Sequence, residues 1–460
     1  MKITLTNKLF LEDIPSTLRN ELTENLTIPN PKWIENHRMG RWNRGTPKHL
    51  KFYEKGRYGR LYIPRGYIRQ LLLMCKRHGE SYGIDDKRRQ LKEVSLQFQG
   101  RLKPFQNQAV KDILKKEFGT LSAPTGSGKT VMALYIIACR RQPTLIVVHT
   151  KDLAFQWIQR ISAFLNIMAS DVGLIGAGKH NVGKMITVGL VQSLYKCADE
   201  VSKAFGHLIV DECHRTPSRT FTDAVTEFDS KFMLGLSATP WRRDQLSKLI
   251  FWHLGDVRHQ VDKEKLIESG DVLSAKIIFR ETDFKPFYDP VNEYTKMLTE
   301  LVADDDRNRL IAADVAREAR KTEGVCLVLS DRKHHCETLQ TLLKYKYAVS
   351  SELLTGDLAS EQRRDVLCKI DAGQVKVVVA TGQLVGEGLD CKNLSTLFLT
   401  TPIKFGGRVL QYLGRVLRPA PGKDQAKVYD YVDLKVGPLK AAARARRRVY
   451  GTDAEFADPD

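Results

Sequence analysis

Residues 123–130 read Ala-Pro-Thr-Gly-Ser-Gly-Lys-Thr. Gly126 and Gly128 let the backbone curl so that successive N–H groups face one anion, and the apolar helical stretch behind them adds the positive end of its dipole. A lysine and a hydroxyl placed directly after such a turn suit ATP. Lys129 reaches the β- and γ-phosphates, and Thr130 ligates Mg²⁺. Pro124, Thr125 and Ser127 complete the cradle. Ala123 stands where the general motif has glycine. The loop alone does not say which nucleotide enzyme carries it.

Further along, the apolar run His207-Leu208-Ile209-Val210 delivers Asp211 and Glu212. Carboxylates at the carboxyl end of a strand lie where open α/β sheets bind ligands. Asp211 can hold the metal, and Glu212 can orient and deprotonate an attacking water. A third group lies in the stretch ending at Arg418. On a helix Gln411, Arg415 and Arg418 share one face, while Val409, Leu413 and Val416, with Leu410 and Leu417, share another. Two guanidinium groups projecting together have the form of arginine fingers, planar donors aimed at the charge of a transferring phosphoryl group. The same pattern also suits a surface ion-pair helix.

These residues need rigid positioning, and the chain supplies it twice. The runs 144–150, 184–191, 207–212 and 231–239 are short and apolar, separated by amphipathic stretches; the same grammar restarts at 324–330, 376–381, 396–401 and 426–433. That alternation predicts two consecutive α/β domains, each a parallel sheet covered by helices. The expected organisation is a small basic domain over 1–98, a first motor domain over 99–270, a linker over 271–310 marked by Asp304, Asp305 and Asp306, a second motor domain over 311–440 and a charged tail over 441–460.

The 460 residues carry a formal charge of +19 and are 42% hydrophobic. A polyanionic partner, either nucleic acid or an anionic membrane surface, fits that excess. No apolar run is long enough to span a bilayer, and no apolar leader opens the chain. The eight cysteines are scattered, without a C-x-x-C pair, which fits a reducing, cytoplasmic setting. Residues 31–100 hold 17 Lys and Arg against 6 Asp and Glu. Trp33, Trp42, Tyr53, Tyr58, Tyr62 and Tyr67 are interleaved among them. Such a mixture suits phosphate contacts with stacking on bases, and the same aromatics also suit the core of a small domain.

The ordered motifs over roughly 101–434 resemble those of the superfamily 2 helicases. By that resemblance Gln106, in Leu102-Lys103-Pro104-Phe105-Gln106, reads the adenine base, and Asp211-Glu212-Cys213-His214 is the DExH box. Ser237-Ala238-Thr239 couples hydrolysis to strand movement. In Ala380-Thr381-Gly382 through Gly386-Glu387-Gly388-Leu389-Asp390, Gly388 and Asp390 approach the nucleotide and Thr381 the nucleic-acid backbone. Gln411, Gly414, Arg415 and Arg418 match the motif whose arginines meet the γ-phosphate. Less sharply, Thr150, Gln192, Ser193, Ser330, Thr355 and Gly356 match positions that hold strand phosphates. Within the family the layout, and Ile63-Pro64-Arg65-Gly66, look most like phage UvsW-type branched-DNA helicases. The resemblance implies two RecA-like lobes closing on ATP and Mg²⁺. It further implies a DNA partner at forks or junctions, action as a monomer, and the host cytoplasm for a phage protein. An RNA helicase with the same engine and the motor subunit of a restriction-type complex are the alternatives.

Overall fold

The computed structural model describes residues 1–460 except 216–218, 239–246, 383–392, 404–408, 410, 411, 415, 418, 420–422, 424, 451–454 and 458–460; at 215, 219–221, 223, 247, 360, 371 and 455–457 only the backbone is described. The chain divides into two compact units, Met1–Ala123 with Gly128–Val261, and Asp262–Asp460 with Pro124–Ser127. Among the described residues no helix is long and apolar enough to cross a membrane.

The first unit opens with a five-stranded sheet in the order Glu54–Lys55, Leu61–Pro64, Lys8–Glu12, Lys2–Leu5, Gly83–Asp86. Its pairs are antiparallel except Lys2–Leu5 with Gly83–Asp86. Alternating residues Ile3, Leu5, Leu9 and Leu11 point to one face, where Leu18 and Leu22 of helix Ser16–Asn25 and Leu71 and Met74 of helix Ile68–His78 cover them. Leu249 and Trp252, from helix Ser247–Leu254 far along the chain, belong to the same apolar cluster. The joint is made by Arg65-Gly66. Arg65 is buried and donates to the Ser230 carbonyl at 2.9 Å and to the Met233 sulfur at 2.9 Å. Burial pulls its guanidinium down to about 9. Gly66 leaves no room for a side chain, since a Cβ there would lie 2.2 Å from the Phe251 carbonyl oxygen.

The second sheet of this unit has eight strands, in the order Lys179–Asn181, Gly173–Gly176, Ile186–Leu190, Thr144–Val148, His207–Val210, Phe232–Ser237, Phe118–Ser122, Val257–Gln260. All neighbours are parallel except the Lys179–Asn181 edge. The strands Phe118–Ser122, Thr144–Val148 and Ile186–Leu190 are buried along their whole length, as a sheet covered on both faces demands.

The other unit is built on seven parallel strands in the order Glu352–Leu354, Val377–Thr381, Val325–Ser330, Leu394–Leu399, Ala426–Val432, Ala275–Glu281, Glu455–Ala457. The stretch 271–310, expected as a linker, is structured. Ala275–Glu281 is a strand of the sheet, and Tyr294–Ala303 and the start of Asp305–Lys321 are helical. Its apolar core, Ile277-Ile278-Phe279, is bracketed by Lys276 and Arg280, and the charge of Arg280 is hidden in an ion pair with Asp314 at 2.8 Å. The acidic cluster starts a helix. Asp304 accepts from the Arg307 amide at 2.8 Å, and Asp305 and Asp306 sit at the positive end of the dipole. The basic run near the C-terminus lies in helix Gly437–Tyr450, where buried Arg446 donates to Asp430 at 2.7 Å.

Candidate active site and nucleic-acid contacts

The parallel registers bring the carboxyl ends of the first unit's strands level with one another. Val148 lies opposite Leu190, Gly235 opposite Val210, and Ser237 opposite Ser122. The loops that leave these ends carry the candidate residues. After Ser122 the chain enters the glycine turn. Gly126 at φ 90° and Gly128 at φ 82° take the left-handed backbone that glycine tolerates. The Ser127 hydroxyl and amide both donate to the Pro124 carbonyl, at 2.7 and 3.2 Å. Gly128 caps helix Lys129–Arg140. The Thr125 hydroxyl is buried without a hydrogen-bond partner, which fits a phosphate-holding cradle. Lys129 folds its ammonium back onto the Ala123 carbonyl at 3.0 Å, across the turn it serves. Gln106 is buried beside the turn. Its oxygen accepts from the Lys103 amide at 3.0 Å, and its Nε2 lies where a Cβ on Gly128 would come within 2.5 Å.

Strand His207–Val210 delivers Asp211 buried and Glu212 half-buried. The two oxygens of Asp211 are held separately. Oδ1 accepts the Glu212 amide at 2.9 Å, and Oδ2 accepts the Trp157 indole N–H at 2.8 Å. Burial, then the neighbouring Glu212 charge, push the Asp211 carboxyl above the usual range, while Trp157 and Lys129 oppose them. A divalent cation would reverse that cost. Glu212 has φ 47°, a left-handed conformation that branched and long side chains rarely take, and such strain concentrates at functional residues. Its carboxylate lies 3.1 Å from His214 Nδ1, and the same nitrogen lies 3.2 Å from the Ser237 hydroxyl. The Ser237 carbonyl accepts the Ala123 amide at 2.9 Å, so Glu212, the histidine, the serine and the entrance to the glycine turn form one connected series.

Trp157 carries no motif signal. Ala154, Trp157, Ile161 and Leu165 form the buried stripe of helix Lys151–Leu165 and read simply as core. The only hint is chemical, because a buried indole N–H needs an acceptor. Thr150 caps this same helix, its hydroxyl accepting from the Leu153 amide at 3.4 Å. Gln192 is exposed and Ser193 half-buried just after strand Ile186–Leu190. The first unit thus gathers Thr150, Gln192 and Ser193 on the edge that carries Asp211 and Lys129.

In the second unit Thr381 lies opposite Ser330 at two adjacent strand ends. Ser330 is 1% exposed, and its hydroxyl is engaged by the Arg332 amide at 3.1 Å and His335 Nδ1 at 3.0 Å. Thr355 is buried, Gly356 is exposed, and Asp357 pairs with Lys333. Gly382 is a close approach. Its carbonyl accepts from the Tyr412 hydroxyl at 2.7 Å, and a Cβ there would lie 2.6 Å from that oxygen. Val409, Leu413, Val416 and Leu417 are buried, as the apolar stripe predicts. Gly388, Asp390, Gln411, Arg415 and Arg418 lie outside the described residues, as does Thr239.

A glycine turn, a metal-ready aspartate and a strained glutamate on one parallel-sheet edge, with a second parallel sheet following in the chain, define the RecA-like class of ATP-driven engines. A family model for the "Type III restriction enzyme, res subunit" matches residues 99–242, and one for the "Helicase conserved C-terminal domain" matches 307–420. The chain is 30% identical over 351 residues to "DNA 3'-5' translocase XPB2" of Sulfurisphaera tokodaii, covering 69% of this chain and 78% of that protein. It is 26% identical over 426 residues to "ATP-dependent DNA helicase uvsW" of Enterobacteria phage T4, covering 85% and 83%. Among solved structures, "S. cerevisiae Dbp5 bound to RNA and ADP BeF3" shares the fold with TM-score 0.55 at 14% identity, over 77% of this chain and 89% of that one. The chain belongs to the superfamily 2 helicases and is similar to their UvsW type. It is an ATP-dependent helicase acting on nucleic acid.

Proposed function

We infer that this helicase works on DNA, at forks and branches, in recombination, repair or replication. The carrying observation is the joint at Arg65-Gly66. It seats the basic N-terminal sheet on the motor sheet through a buried guanidinium and a glycine with no space beside it. A grip for duplex phosphates is thereby fixed to the strand-moving engine. The names of two relatives, a DNA translocase and a DNA helicase, point the same way.

On this reading the amides of 124–128, with Lys129, hold the phosphates of ATP, and Gln106 reads its base. Thr130 and Asp211 would hold Mg²⁺, which neutralises phosphate charge when bound. Glu212 takes a proton from the attacking water, and His214 passes the change in its charge to Ser237. Gly388 and Asp390 approach the nucleotide from the second domain, while Gln411, Arg415 and Arg418 meet the γ-phosphate. Thr150, Gln192, Ser193, Ser330, Thr355, Gly356 and Thr381 are assigned to strand phosphates, which set position rather than sequence. The protein acts as a monomer in the cytoplasm of the cell that makes it.

ATP hydrolysis and strand displacement measured with forks, four-way junctions, linear duplexes and RNA, at matched salt, test the reading. Stimulation greatest on branched DNA is expected. Stimulation by RNA and by no DNA would replace it with an RNA remodeller running the same engine.

A further inference from the structure

The six aromatics of the basic N-terminal segment part company in the structure. Tyr67 is buried in the apolar cluster, and Trp33, Tyr53 and Tyr62 are half-buried, but Trp42 is 80% and Tyr58 is 93% exposed. Tyr58 sits at the tip of the hairpin between Glu54–Lys55 and Leu61–Pro64, in the turn Arg57-Tyr58-Gly59-Arg60 closed by the Arg60 amide on the Arg57 carbonyl at 3.3 Å. Both central residues are left-handed, Tyr58 at φ 57° and ψ 33° and Gly59 at φ 73°. Left-handed backbone at two successive turn residues is what Asn-Gly takes most readily. A tyrosine there sits in a strained backbone and leaves its ring in water, so turn stability does not account for it.

Trp42 is presented with equal care. Asn30 accepts from the Lys32 amide at 3.1 Å and donates to the Pro47 carbonyl at 2.8 Å, closing the base of the loop. The amide of Asn36 donates to Asn43 at 3.1 Å, and Asn43 donates to the Trp33 carbonyl at 3.2 Å, clasping the residue next to Trp42. Helix Pro31–Arg38, which carries this clasp, buries none of its own residues. Residues 31–60 hold nine Lys and Arg against two Asp and Glu.

We propose that Tyr58 and Trp42 are stacking platforms for bases exposed where DNA strands part, with the surrounding basic residues holding the flanking phosphates. The proposal rests on the DNA reading above and adds how a branch is distinguished from plain duplex: only a branch offers an unstacked base face to a protruding ring. Electrostatics supply the rest of the affinity and its salt dependence.

The test uses full-length protein and a fork carrying 2-aminopurine at the junction. Wild type should change the probe's fluorescence on binding, without ATP. Tyr58→Asn should lose that signal and bind the fork about tenfold more weakly, a loss typical of one stacked base. Its affinity for linear duplex, whose bases stay stacked, should be unchanged. Its melting temperature should rise, because asparagine suits the turn. Trp42→Ala should lower fork affinity similarly. An unaltered probe signal and fork affinity in both variants would overturn the proposal. So would an equal loss on fork and linear duplex, which would make the rings general duplex contacts. A wild-type ATPase indifferent to every DNA would instead sink the DNA reading itself.

Discussion

The carboxyl edges of the two parallel sheets are built to opposite specifications. On the first, polar groups are kept under tension. Glu212 is held at a left-handed φ, and Asp211 is buried with its acidity weakened. On the second, most polar groups are consumed, although Arg307 Nη1 is buried without a partner. Ser330 is engaged with His335, whose other nitrogen lies 2.8 Å from Asn308, and Asp433 accepts from Thr282 and from Arg307 at 2.9 Å. Poised groups cost stability and serve chemistry; satisfied networks rigidify. The contrast fits the proposal that the bond-breaking chemistry belongs to the first edge. On that proposal the second edge is a scaffold, and its contribution to the reaction comes from Arg415 and Arg418.

If that division holds, changes on the first edge and on the fingers strike turnover hardest. Lys129→Ala should abolish phosphate release while folding is kept, as read by near-native circular dichroism. Arg418→Ala should slow turnover by roughly 10³–10⁵, about 4–7 kcal/mol of transition-state stabilisation, with ATP still bound. Near-normal turnover in that variant would remove the finger role from Arg418. Glu212→Gln should cost about 10²–10⁴ in turnover and trap ATP on the protein, seen as a slowly released fluorescent analogue.

Much of this was legible beforehand because its signals are local. Glycines that permit positive φ, a lysine next in line and apolar runs ending in acids need no tertiary knowledge, and Thr144–Val148, Ile186–Leu190 and His207–Val210 fall where the runs place them. What escaped depends on neighbours distant in sequence. Ala275–Glu281 carries lysine and arginine, and Asp314, 34 residues from Arg280, makes that tolerable. Trp157 reads as core until Asp211, 54 residues away, is found at its N–H. Arg65 is a buried peg because its partners, Ser230 and Met233, lie 165 and 168 residues away.

Trp157 also sharpens the comparison, because it supports a poised group without touching substrate. Trp157→Phe keeps an aromatic filler and deletes only the donor to Asp211 Oδ2. The ATPase should then need about 10- to 100-fold more Mg²⁺ for half-maximal rate, the usual cost of losing a group that orients a metal ligand. Raising Mg²⁺ should restore much of the activity. A drop in maximal rate that no Mg²⁺ concentration relieves, alongside a lowered melting temperature, would reduce Trp157 to packing.

The smallest effect concerns the consumed edge, and it is one of stability. His335 is fully buried, with Nδ1 at Ser330 and Nε2 at Asn308, so the neutral ring satisfies both. Burial, then the nearby Arg307 and His334 charges, hold its pKa down to about 3. The unfolded chain, near the ordinary value of about 6.5, binds the proton first. The stabilisation is therefore complete above pH 6.5 and is lost as pH falls toward 3; at pH 5 the loss is about 2 kcal/mol. Hydrogen exchange of the Val325–Ser330 amides reads this locally. His335→Gln keeps a donor and an acceptor but no titration. It should be less protected than wild type at pH 7, yet lose about 2 kcal/mol less between pH 7 and 5. Parallel pH slopes in the two proteins would show that the second edge is not held by this histidine's neutrality, and the contrast between tense and satisfied edges would lose its clearest case.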